Sequence, residues 1–404
     1  MKELLDDWDF KGENTKEYTH GFHTYPAMMI PQIARKLIKL YGKNARTLLD
    51  PFCGSGTSLV EATLTNNIKK CYGFDLNPLA ILIAKVKTTP ISSKKLTKEL
   101  DNIFNQTGTA KVPFISNLDY WFKPKVVEKL NIIKAGINKI QDEDIKDFFK
   151  VCFTETVRNC SNTRKGEFKL YRKTKEQLEK FSPNVISEFE KISMKNIKHM
   201  QEYFENYKET KKKVEIRSSM GKLPIKESSV DIIVTSPPYG DSKTTVAYGQ
   251  FSRLGLQWLN HRDVNGLDNE LLGGKAVKKL NIKIKSLTLK KIIKKIAEKD
   301  KKRAREVLSF YEDFDKCVIQ LNKVMNKRGH ICFVVGNRTV KGVNIPTDKI
   351  MTEMFMNHGN YEYIKTHTRA IPNKRMPSVN SPTNISGKTS PTICNEFIFI
   401  LKKL

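Results

Sequence analysis

Apolar and polar positions follow two different rhythms along this chain of 404 residues. In residues 1–90 and 213–404, short apolar runs that end in glycine, proline or polar residues are followed by stretches with apolar residues at helical spacing. Short continuous apolar runs are typical of strands buried on both faces, and strands that alternate with helices are typical of a parallel, doubly wound sheet. The pattern therefore predicts an α/β fold.

The individual elements follow from the same pattern. Strands are predicted at residues 48–50, 71–75, 214–218, 231–235 and 329–336, with an antiparallel pair at 361–370 and 392–402. Helices are predicted at residues 26–41, 57–66, 79–86, 303–325 and 346–358. The segment between the last two strands is rich in proline, serine, asparagine and glycine, as expected of a loop. The sheet is thus expected to be mostly parallel, with a terminal antiparallel hairpin.

The segment 91–212 has a helical rhythm with few strand signals. Helices are predicted at residues 126–139, 143–160 and 174–210, the last broken near Pro183. A segment of this length is too long for a loop inside a compact domain. We therefore predict three parts: a catalytic domain formed by 1–90 and 213–404, a helical insertion at 91–212 as candidate target-recognition module, and a lysine-rich insertion at 263–305.

The composition narrows the class of partner. The formal net charge is +29 at pH 7, and a polyanion is the simplest partner for such an excess. The seven cysteines form no Cys-x-x-Cys pair and no zinc-like cluster with histidine, so free thiols and no metal are expected. The sequence shows neither a signal peptide nor a membrane span, and we expect a cytoplasmic, prokaryotic protein.

The first chemical motif is Ser236-Pro237-Pro238-Tyr239, which follows the predicted strand 231–235. Two prolines restrict the backbone, so a serine and a tyrosine are held at the carboxyl end of the strand. Open α/β sheets bind their ligands at this edge. Alone, the motif is equally compatible with a strand that ends in an ordinary turn.

A second motif, residues 50–57, joins the first predicted strand to a helix. Gly54 and Gly56 allow the backbone to approach a ligand, and the helix start offers free N–H groups. A dinucleotide site would have a third glycine where Leu59 stands, and Asp50 would repel a pyrophosphate. The acidic residue favours a ligand that is not anionic at this point, and S-adenosylmethionine fits because it carries an ammonium and a sulfonium.

A third motif, residues 73–78, ends the second predicted strand in Asp75. Its carboxylate is placed to accept hydrogen bonds from ribose hydroxyls. The alternative is an N-cap for the helix that follows at Pro78.

With these motifs the chain resembles the amino-methyltransferases of DNA, which methylate the exocyclic nitrogen of cytosine (N4) or adenine (N6). The matching segments are Asp50-Pro-Phe-Cys-Gly-Ser-Gly-Thr57, Gly73-Phe-Asp-Leu-Asn-Pro78 and Thr235-Ser-Pro-Pro-Tyr239. The resemblance implies a Rossmann-like methyltransferase sheet and S-adenosyl-L-methionine as cofactor. It also implies that the segment 23–27 covers the methionine end of the cofactor. The implied cofactor-binding residues are Tyr25, Asp50, Phe52, Gly54, Gly56, Thr57, Asp75, Asn77 and Ser219, with Ser219 standing where the family usually has an aspartate.

The same resemblance assigns the catalytic roles. Ser236 Oγ and the carbonyl of Pro237 would accept the two N–H bonds of the target amine, and Tyr239 would stack on a base flipped from double-stranded DNA. Serine before Pro-Pro-Tyr favours N4-cytosine within the family. A site-specific enzyme of a restriction-modification or related system is therefore expected, and a cognate endonuclease is the candidate partner. No cysteine follows a proline, so a cytosine-C5 enzyme is excluded.

Three alternatives stay open at this point. The first is an N6-adenine DNA methyltransferase. The second is an RNA methyltransferase acting on guanine N2 or adenine N6. The third is a DNA-binding protein with an inactive cofactor fold, which the presence of Asp50, Asp75, Ser236 and Tyr239 disfavours.

Basic segments supply the candidate DNA contacts. The residues selected are Arg158, Asn162, Arg164, Lys165 and Arg172 in the helical insertion, Lys290, Lys291, Lys294 and Lys295 in the lysine-rich segment, and Lys374 and Arg375 in the last loop. The alternatives are a solvated basic turn for the first group and a partly disordered insertion for the second. Downstream of the serine motif, Trp258 is predicted to be a core residue.

Overall fold

A computed structural model of the protein describes residues 7–207, 212–219, 222–241, 245–261, 264–371, 379–380, 390–391 and 395–404. The strands are β1 Thr47–Asp50, β2 Lys70–Asp75, β3 Lys213–Ser218, β4 Val230–Thr235, β5 Met325–Gly336, β6 Arg338–Val340, β7 Val343–Ile345, β8 Tyr361–Ala370, β9 Val379–Asn380, β10 Ser390–Pro391 and β11 Asn395–Lys403.

Seven strands form one sheet in the order β3-β2-β1-β4-β5-β11-β8. The first five in this order pair in parallel, whereas β11 is antiparallel to both β5 and β8. This arrangement confirms the predicted α/β fold with a terminal antiparallel hairpin. Two small hairpins, β6 with β7 and β9 with β10, add to the predicted pattern.

The helices are α1 Pro31–Tyr41, α2 Thr57–Thr63, α3 Pro78–Thr88, α4 Ser93–Asn105, α5 Leu118–Trp121, α6 Pro124–Lys139, α7 Glu143–Cys160, α8 Lys175–Lys180, α9 Val185–Asn206, α10 Tyr248–Trp258, α11 Leu267–Glu270, α12 Leu287–Lys299, α13 Lys301–Val324 and α14 Thr347–His358. Short 3-10 helices cover Tyr18–Gly21 and Val264–Gly266. The first helix begins at Pro31, not at Pro26 as predicted. Ala27 has a φ of 52°, which is incompatible with a right-handed helix, and Pro31 occupies the first turn instead.

Alternate residues of the strands enter two different cores, one on each face of the sheet. The core around α1 contains the strand residues Leu48, Cys71, Ile232, Cys332 and Ile398. The core around α13 and α14 contains their sequence neighbours Leu49, Tyr72, Ile233, Phe333 and Phe399. Because side chains alternate across a strand, burial of both faces requires continuous apolar runs, as the sequence has.

The predicted helical insertion packs against the helices of the sheet in a third core. This core joins α3 to α6, α7, α9 and α10. Trp258 lies at its centre, with ring centroids 5.8 Å from Phe122 and 6.0 Å from Phe153, so the prediction of a core tryptophan is confirmed. The division of the chain into separate domains stays a prediction.

In the lysine-rich segment 263–305, α12 is the helix that carries most of the lysines predicted to contact DNA. Leu289, Ile293 and Ile296 are buried in the core of α13 and α14, which anchors the helix to the sheet domain. Ser286 caps its start by accepting a hydrogen bond from the amide of Leu289 at 3.0 Å. Within the part of the chain that the structure describes, no helix has the length and apolar character needed to cross a bilayer.

Candidate functional site

One cavity opens at the carboxyl ends of β1, β2 and β4, the edge where the motifs were expected to meet. Its walls include ten of the predicted site residues: Tyr25, Asp50, Phe52, Gly54, Thr57, Asp75, Asn77, Ser219, Ser236 and Pro238. Parallel strands with adjacent ends bring these distant sequence segments together. Gly56, Pro237 and Tyr239 lie just behind the lining, in the same loops.

Asp50 closes the bottom of the cavity at the end of β1. It is 2% exposed, and its Oδ1 accepts hydrogen bonds from the Thr235 hydroxyl at 2.6 Å and the Phe52 amide at 3.2 Å. Burial raises the pKa of Asp50 to about 7, although these hydrogen bonds lower it. A buried carboxyl group of this kind gains from a cationic ligand, because the ligand restores the charge that burial opposes.

Asp75 is held by the backbone at the end of β2. Its two carboxylate oxygens accept hydrogen bonds from the amides of Gly54 at 3.0 Å and Asn77 at 2.8 Å. Burial raises the pKa of Asp75. The second bond matches the turn before Pro78, and the first ties the glycine loop to β2, so Asp75 positions that loop while facing the cavity.

Asn77 and Tyr25 form a polar wall between the cavity and α10. Asn77 caps α3 through the amide of Leu79, and its Nδ2 donates to Tyr25 Oη at 3.1 Å and Ser252 Oγ at 2.8 Å. The ring of Tyr25 stacks on that of Tyr248, with centroids 5.9 Å apart. The two predicted cofactor residues thus lie in one network, in which Asn77 faces protein groups.

The two glycines of the loop 50–57 serve different purposes. Gly54 has a φ of 47° and faces the cavity, with Tyr25 beyond it. Gly56 has a φ of 83°, and a Cβ at this position would lie 2.9 Å from that of Ala84. Gly56 therefore allows close packing of the loop against α3 and does not itself line the cavity.

The serine motif is fixed by side chains from the terminal hairpin. Ser236 Oγ lies 3.3 Å from Tyr239 Oη, and Tyr239 donates a hydrogen bond of 2.7 Å to Glu396. Glu396 also pairs with Arg369, whose guanidinium donates to the carbonyl of Trp8 at 2.9 Å. The tyrosine hydroxyl is thus anchored on the side opposite the cavity edge.

The chain after the motif is held by a buried ion pair. Arg338, next to β5, forms a 3.2 Å contact with Asp241, and both side chains are less than a tenth exposed. A Cβ on Gly240 would overlap the guanidinium of Arg338, so glycine is required for this contact. The ion pair holds the backbone that follows Tyr239.

Several residues of the site carry no motif signal in the sequence. Glu396 stands at the start of an apolar strand, and its contact with Tyr239 depends on pairing between β11, β5 and β8. The cavity is also lined by Tyr248 of α10, by Leu271 and Leu272 directly after α11, and by Gln320 of α13. An acidic residue in an otherwise apolar terminal strand is the one feature that could have indicated Glu396.

Two of the candidate DNA contacts face the protein instead. Arg158 donates to the carbonyl of Phe251 at 3.3 Å and lies over its ring, and burial lowers the pKa of Arg158 to about 10. Asn162 is 3% exposed and donates to the carbonyl of Tyr120 at 3.1 Å. In this conformation their polar atoms hold α7 against α5 and α10, and a contact of these two side chains with DNA stays a prediction.

The other candidates lie nearer the surface. Arg164 and Lys165 are exposed, and Arg172 lies over the ring of Tyr120 at 4.3 Å from its centroid. On α12, Lys291, Lys294 and Lys295 are exposed and Lys290 is half-buried. Lys374 and Arg375 lie outside the described residues.

No group of three or more histidine, cysteine, aspartate or glutamate side chains placed to hold a metal ion is found within the described ranges. Burial raises the pKa of Cys53, beside the cavity, well above its usual value, so its thiol stays protonated.

The sheet order, the terminal antiparallel strand and the acids at the ends of β1 and β2 define a Rossmann-like methyltransferase. The sequence model of the family described as DNA methylase matches residues 1–86. The type II methyltransferase M.MvaI of Kocuria varians is 44% identical over 426 aligned positions, which cover 97% of this chain and 93% of that protein. The chain therefore belongs to the DNA amino-methyltransferase family, as its three motifs predicted.

A second relative matches a shorter part of the chain. The type II methyltransferase M.MjaII of Methanocaldococcus jannaschii is 32% identical over 136 residues, which cover 31% of this chain and 24% of that protein. Among solved structures, the rRNA methyltransferase aviRa from Streptomyces viridochromogenes aligns with 94% of this chain and 88% of its own, at 10% identity and a TM-score of 0.33. An overlap that loose supports no conclusion about function.

Proposed function

We propose that the protein transfers a methyl group from S-adenosyl-L-methionine to the exocyclic N4 of a cytosine flipped out of double-stranded DNA. The observation that carries this proposal is the placement of Ser236 in the wall of the same cavity as Asp50 and Asp75. Membership of the DNA amino-methyltransferase family supports DNA and an amino nitrogen as acceptor. The serine before Pro-Pro-Tyr supports cytosine over adenine.

The residues of the cavity suit the cofactor. Asp50 would bind the ammonium of the methionine end, and Asp75 would accept from the ribose hydroxyls. Ser55 lines the cavity and its buried hydroxyl has no hydrogen-bond partner among the described residues, which suits a polar ligand atom. When bound, S-adenosylmethionine would supply an electrophilic methyl group on its sulfonium.

The chain's own part in the reaction is to orient the amine. The lone pair of an exocyclic amine is delocalised into the ring, so the nitrogen must be turned toward a tetrahedral geometry before it attacks. Ser236 Oγ and the Pro237 carbonyl would accept its two N–H bonds and direct the lone pair toward the cofactor. The hydrogen bonds of Tyr239 and the ion pair of Arg338 with Asp241 keep this loop in place.

Charge and family support the remaining parts of the proposal. The exposed lysines of α12 and the basic residues 164, 165 and 172 would contact the DNA backbone, and the helical segment 91–212 would recognise the target sequence. The type II designation of both relatives supports a restriction-modification system with a cognate endonuclease, in a prokaryotic cytoplasm.

Methyl transfer from labelled cofactor to duplex DNA, and separately to RNA, tests the proposal. Digestion of the product and mass spectrometry should yield N4-methylcytosine from DNA. N6-methyladenine alone would move the target to adenine, and transfer to RNA alone would overturn the proposed substrate.

Ser236→Ala should lower turnover by about a hundredfold or more while the dissociation constant of the cofactor stays within about twofold. Equal losses in both would contradict the role of Ser236.

A further inference from the structure

We infer that Glu396 fixes the direction of the hydrogen bonds through Tyr239, so that Ser236 can only accept hydrogen bonds from the target base. This makes the pair of Glu396 and Arg369 a specificity device that selects an amino group over a carbonyl. The inference rests on the proposed function, because it concerns the atom that receives the methyl group.

The chain of contacts starts at Arg369 on β8. Its guanidinium cannot be deprotonated in a protein, and it pairs with Glu396 directly across the antiparallel register of β8 and β11. Its other nitrogens donate to the carbonyls of Trp8 at 2.9 Å and Asp9 at 3.4 Å, which fix its orientation. The guanidinium side chain is 5% exposed and that of Glu396 15%, so solvent screens the pair little. Glu396 therefore lies in direct contact with a permanent positive charge.

An ionised carboxylate accepts hydrogen bonds and cannot donate one. The 2.7 Å contact between Glu396 and Tyr239 must therefore use the single hydrogen of the tyrosine hydroxyl. Burial, together with the nearby charge of Glu396, raises the pKa of Tyr239 well above its usual value, so the hydroxyl keeps that hydrogen. The oxygen of Tyr239 can therefore only accept a hydrogen bond from Ser236.

The same reasoning then applies to the serine. At 3.3 Å from Tyr239, the Ser236 hydroxyl is the donor, because Tyr239 has no second hydrogen to give. The lone pairs of Ser236 Oγ remain for the cavity. An amino group at the target atom supplies the matching hydrogen, whereas a carbonyl oxygen would place its lone pairs against those of Ser236 Oγ.

N4 of cytosine and N6 of adenine are both amino nitrogens, whereas uracil, thymine and hypoxanthine have a carbonyl oxygen at the same position. The pair of Glu396 and Arg369 would therefore distinguish these two groups of bases. Leaving a buried acceptor unpaired is costly enough to change affinity by about tenfold to a hundredfold. The choice between the two amino bases lies elsewhere in the site, so the inference holds for either target.

The test uses the duplex whose methylated base has been mapped with the wild-type enzyme. In a second duplex the target is replaced by its carbonyl analogue, uracil for cytosine or hypoxanthine for adenine. Dissociation constants for both duplexes are measured with S-adenosylhomocysteine present, so that no turnover occurs. Differences in base-pair stability cancel when the ratio of the two constants is compared between proteins.

The preference of the wild-type protein for the amino duplex should exceed that of Glu396→Gln by about tenfold or more. In this variant an amide can donate to Tyr239, which reverses the direction of the hydrogen bonds through Tyr239 to Ser236. Tyr239→Phe should reduce the preference for the amino duplex in the same way, because the Ser236 hydroxyl can then donate its hydrogen to the target base. This variant keeps the test valid if the glutamine variant does not fold. Glu362→Gln removes an exposed charge from β8 and should keep the wild-type ratio.

Unchanged ratios in folded Glu396→Gln and Tyr239→Phe proteins would overturn the inference while the proposed function stands. Unchanged ratios are the result that a purely structural role for Glu396 predicts, because looser packing weakens binding of both duplexes alike. A wild-type enzyme that methylates no DNA base would overturn the proposed function and this inference together.

Discussion

The proposed role of Asp50 in cofactor binding predicts that the affinity for the cofactor depends on pH. The pKa of Asp50 is raised to about 7 by burial, so below that pH the cavity presents a neutral carboxylic acid. A cationic ligand binds the ionised form, and its affinity must fall as the pH drops through this value. We expect the cofactor dissociation constant to rise about tenfold between pH 8 and pH 6, as measured by calorimetry.

The variant Asp50→Asn provides the control for this pH dependence. It should bind the cofactor weakly and with little change between pH 6 and pH 8, since no proton is then displaced. The folding stability of the wild-type protein should change with pH in the direction opposite to its cofactor affinity. Because the folded pKa is raised above the unfolded value of 3.8, the cofactor-free protein should lose stability as the pH rises from about 4 to 7. Asp50→Asn should lose less, because other buried acids such as Asp75, whose pKa is also raised, still contribute. A wild-type affinity that does not change with pH would show that Asp50 does not meet the positive charge.

Gly56, in the loop that leads into α2, and Gly12 allow backbone strain to be separated from packing. Both are glycines in the left-handed region, at φ angles of 83° and 84°, but a Cβ on Gly56 would meet Ala84 and one on Gly12 would meet nothing within 4 Å. Gly12→Ala should therefore cost only the strain, about 1 kcal/mol. Gly56→Ala should cost about 1–3 kcal/mol more through the clash with α3, and it should weaken cofactor binding. Urea denaturation of both variants measures the difference, and equal costs would mean that the loop can move away from α3.

The elements also decide which predictions from sequence could succeed. The shared position of Asp50, Asp75 and Ser236 could be predicted because each lies at the end of a strand, and the ends of parallel strands share one edge of the sheet. The surroundings of Arg158 and Asn162 could not, because whether such a polar side chain faces solvent depends on distant partners such as Phe251 and Tyr120. A local pattern carries no information about such partners.

Glu396 illustrates the same limit in the sheet. Its contact with Tyr239 requires the register in which Glu396 lies opposite both Gly336 and Arg369, and a slip by one residue would turn it to the other face. Hydrophobic periodicity predicted the hairpin but not this register. The helix α12 is an intermediate case, because its amphipathic pattern was evident while the core that receives its apolar face was not.

The lysine face of α12 tests the DNA-binding role at the level of one element. Because Leu289, Ile293 and Ile296 are buried, deleting residues 275–305 would expose the core, so substitution is the better experiment. Replacing Lys291, Lys294 and Lys295 by glutamine should weaken DNA binding and reduce the salt slope of log K by about 0.9 for each phosphate that the protein no longer neutralises. The matched control replaces Lys39, Lys43 and Lys327, three exposed lysines near the amino-terminal edge of the sheet, by glutamine. An equal change in both triple variants would indicate a nonspecific effect of net charge.

The charge of the whole molecule makes that control necessary. With an excess of 29 positive charges, any surface of this protein attracts DNA to some degree at low salt. Specific contacts are those whose removal changes the slope, not only the affinity. Measurements at several salt concentrations are therefore required before a basic segment is assigned to the DNA interface.

The shared core of α3 with α6, α7, α9 and α10 has a consequence for how the whole chain unfolds. If the helical segment were an independent module, it would melt separately from the sheet and would not respond to the cofactor. Because its apolar residues pack directly on α3, next to the cavity, we expect one cooperative transition. Cofactor at a hundred times its dissociation constant should stabilise both parts by the same amount, about 2.7 kcal/mol.

The three tryptophans allow this to be measured. Trp258 lies in the core of the helical segment and Trp121 packs against it, whereas Trp8 packs against the ring of His367 on β8. In Trp8→Phe, fluorescence reports on the helical core alone, while circular dichroism reports on the whole chain. The two melting curves should coincide and shift together when the cofactor is added. A fluorescence midpoint that stays fixed while the circular dichroism midpoint rises would show that residues 91–212 fold as a separate unit, as the sequence pattern alone predicts.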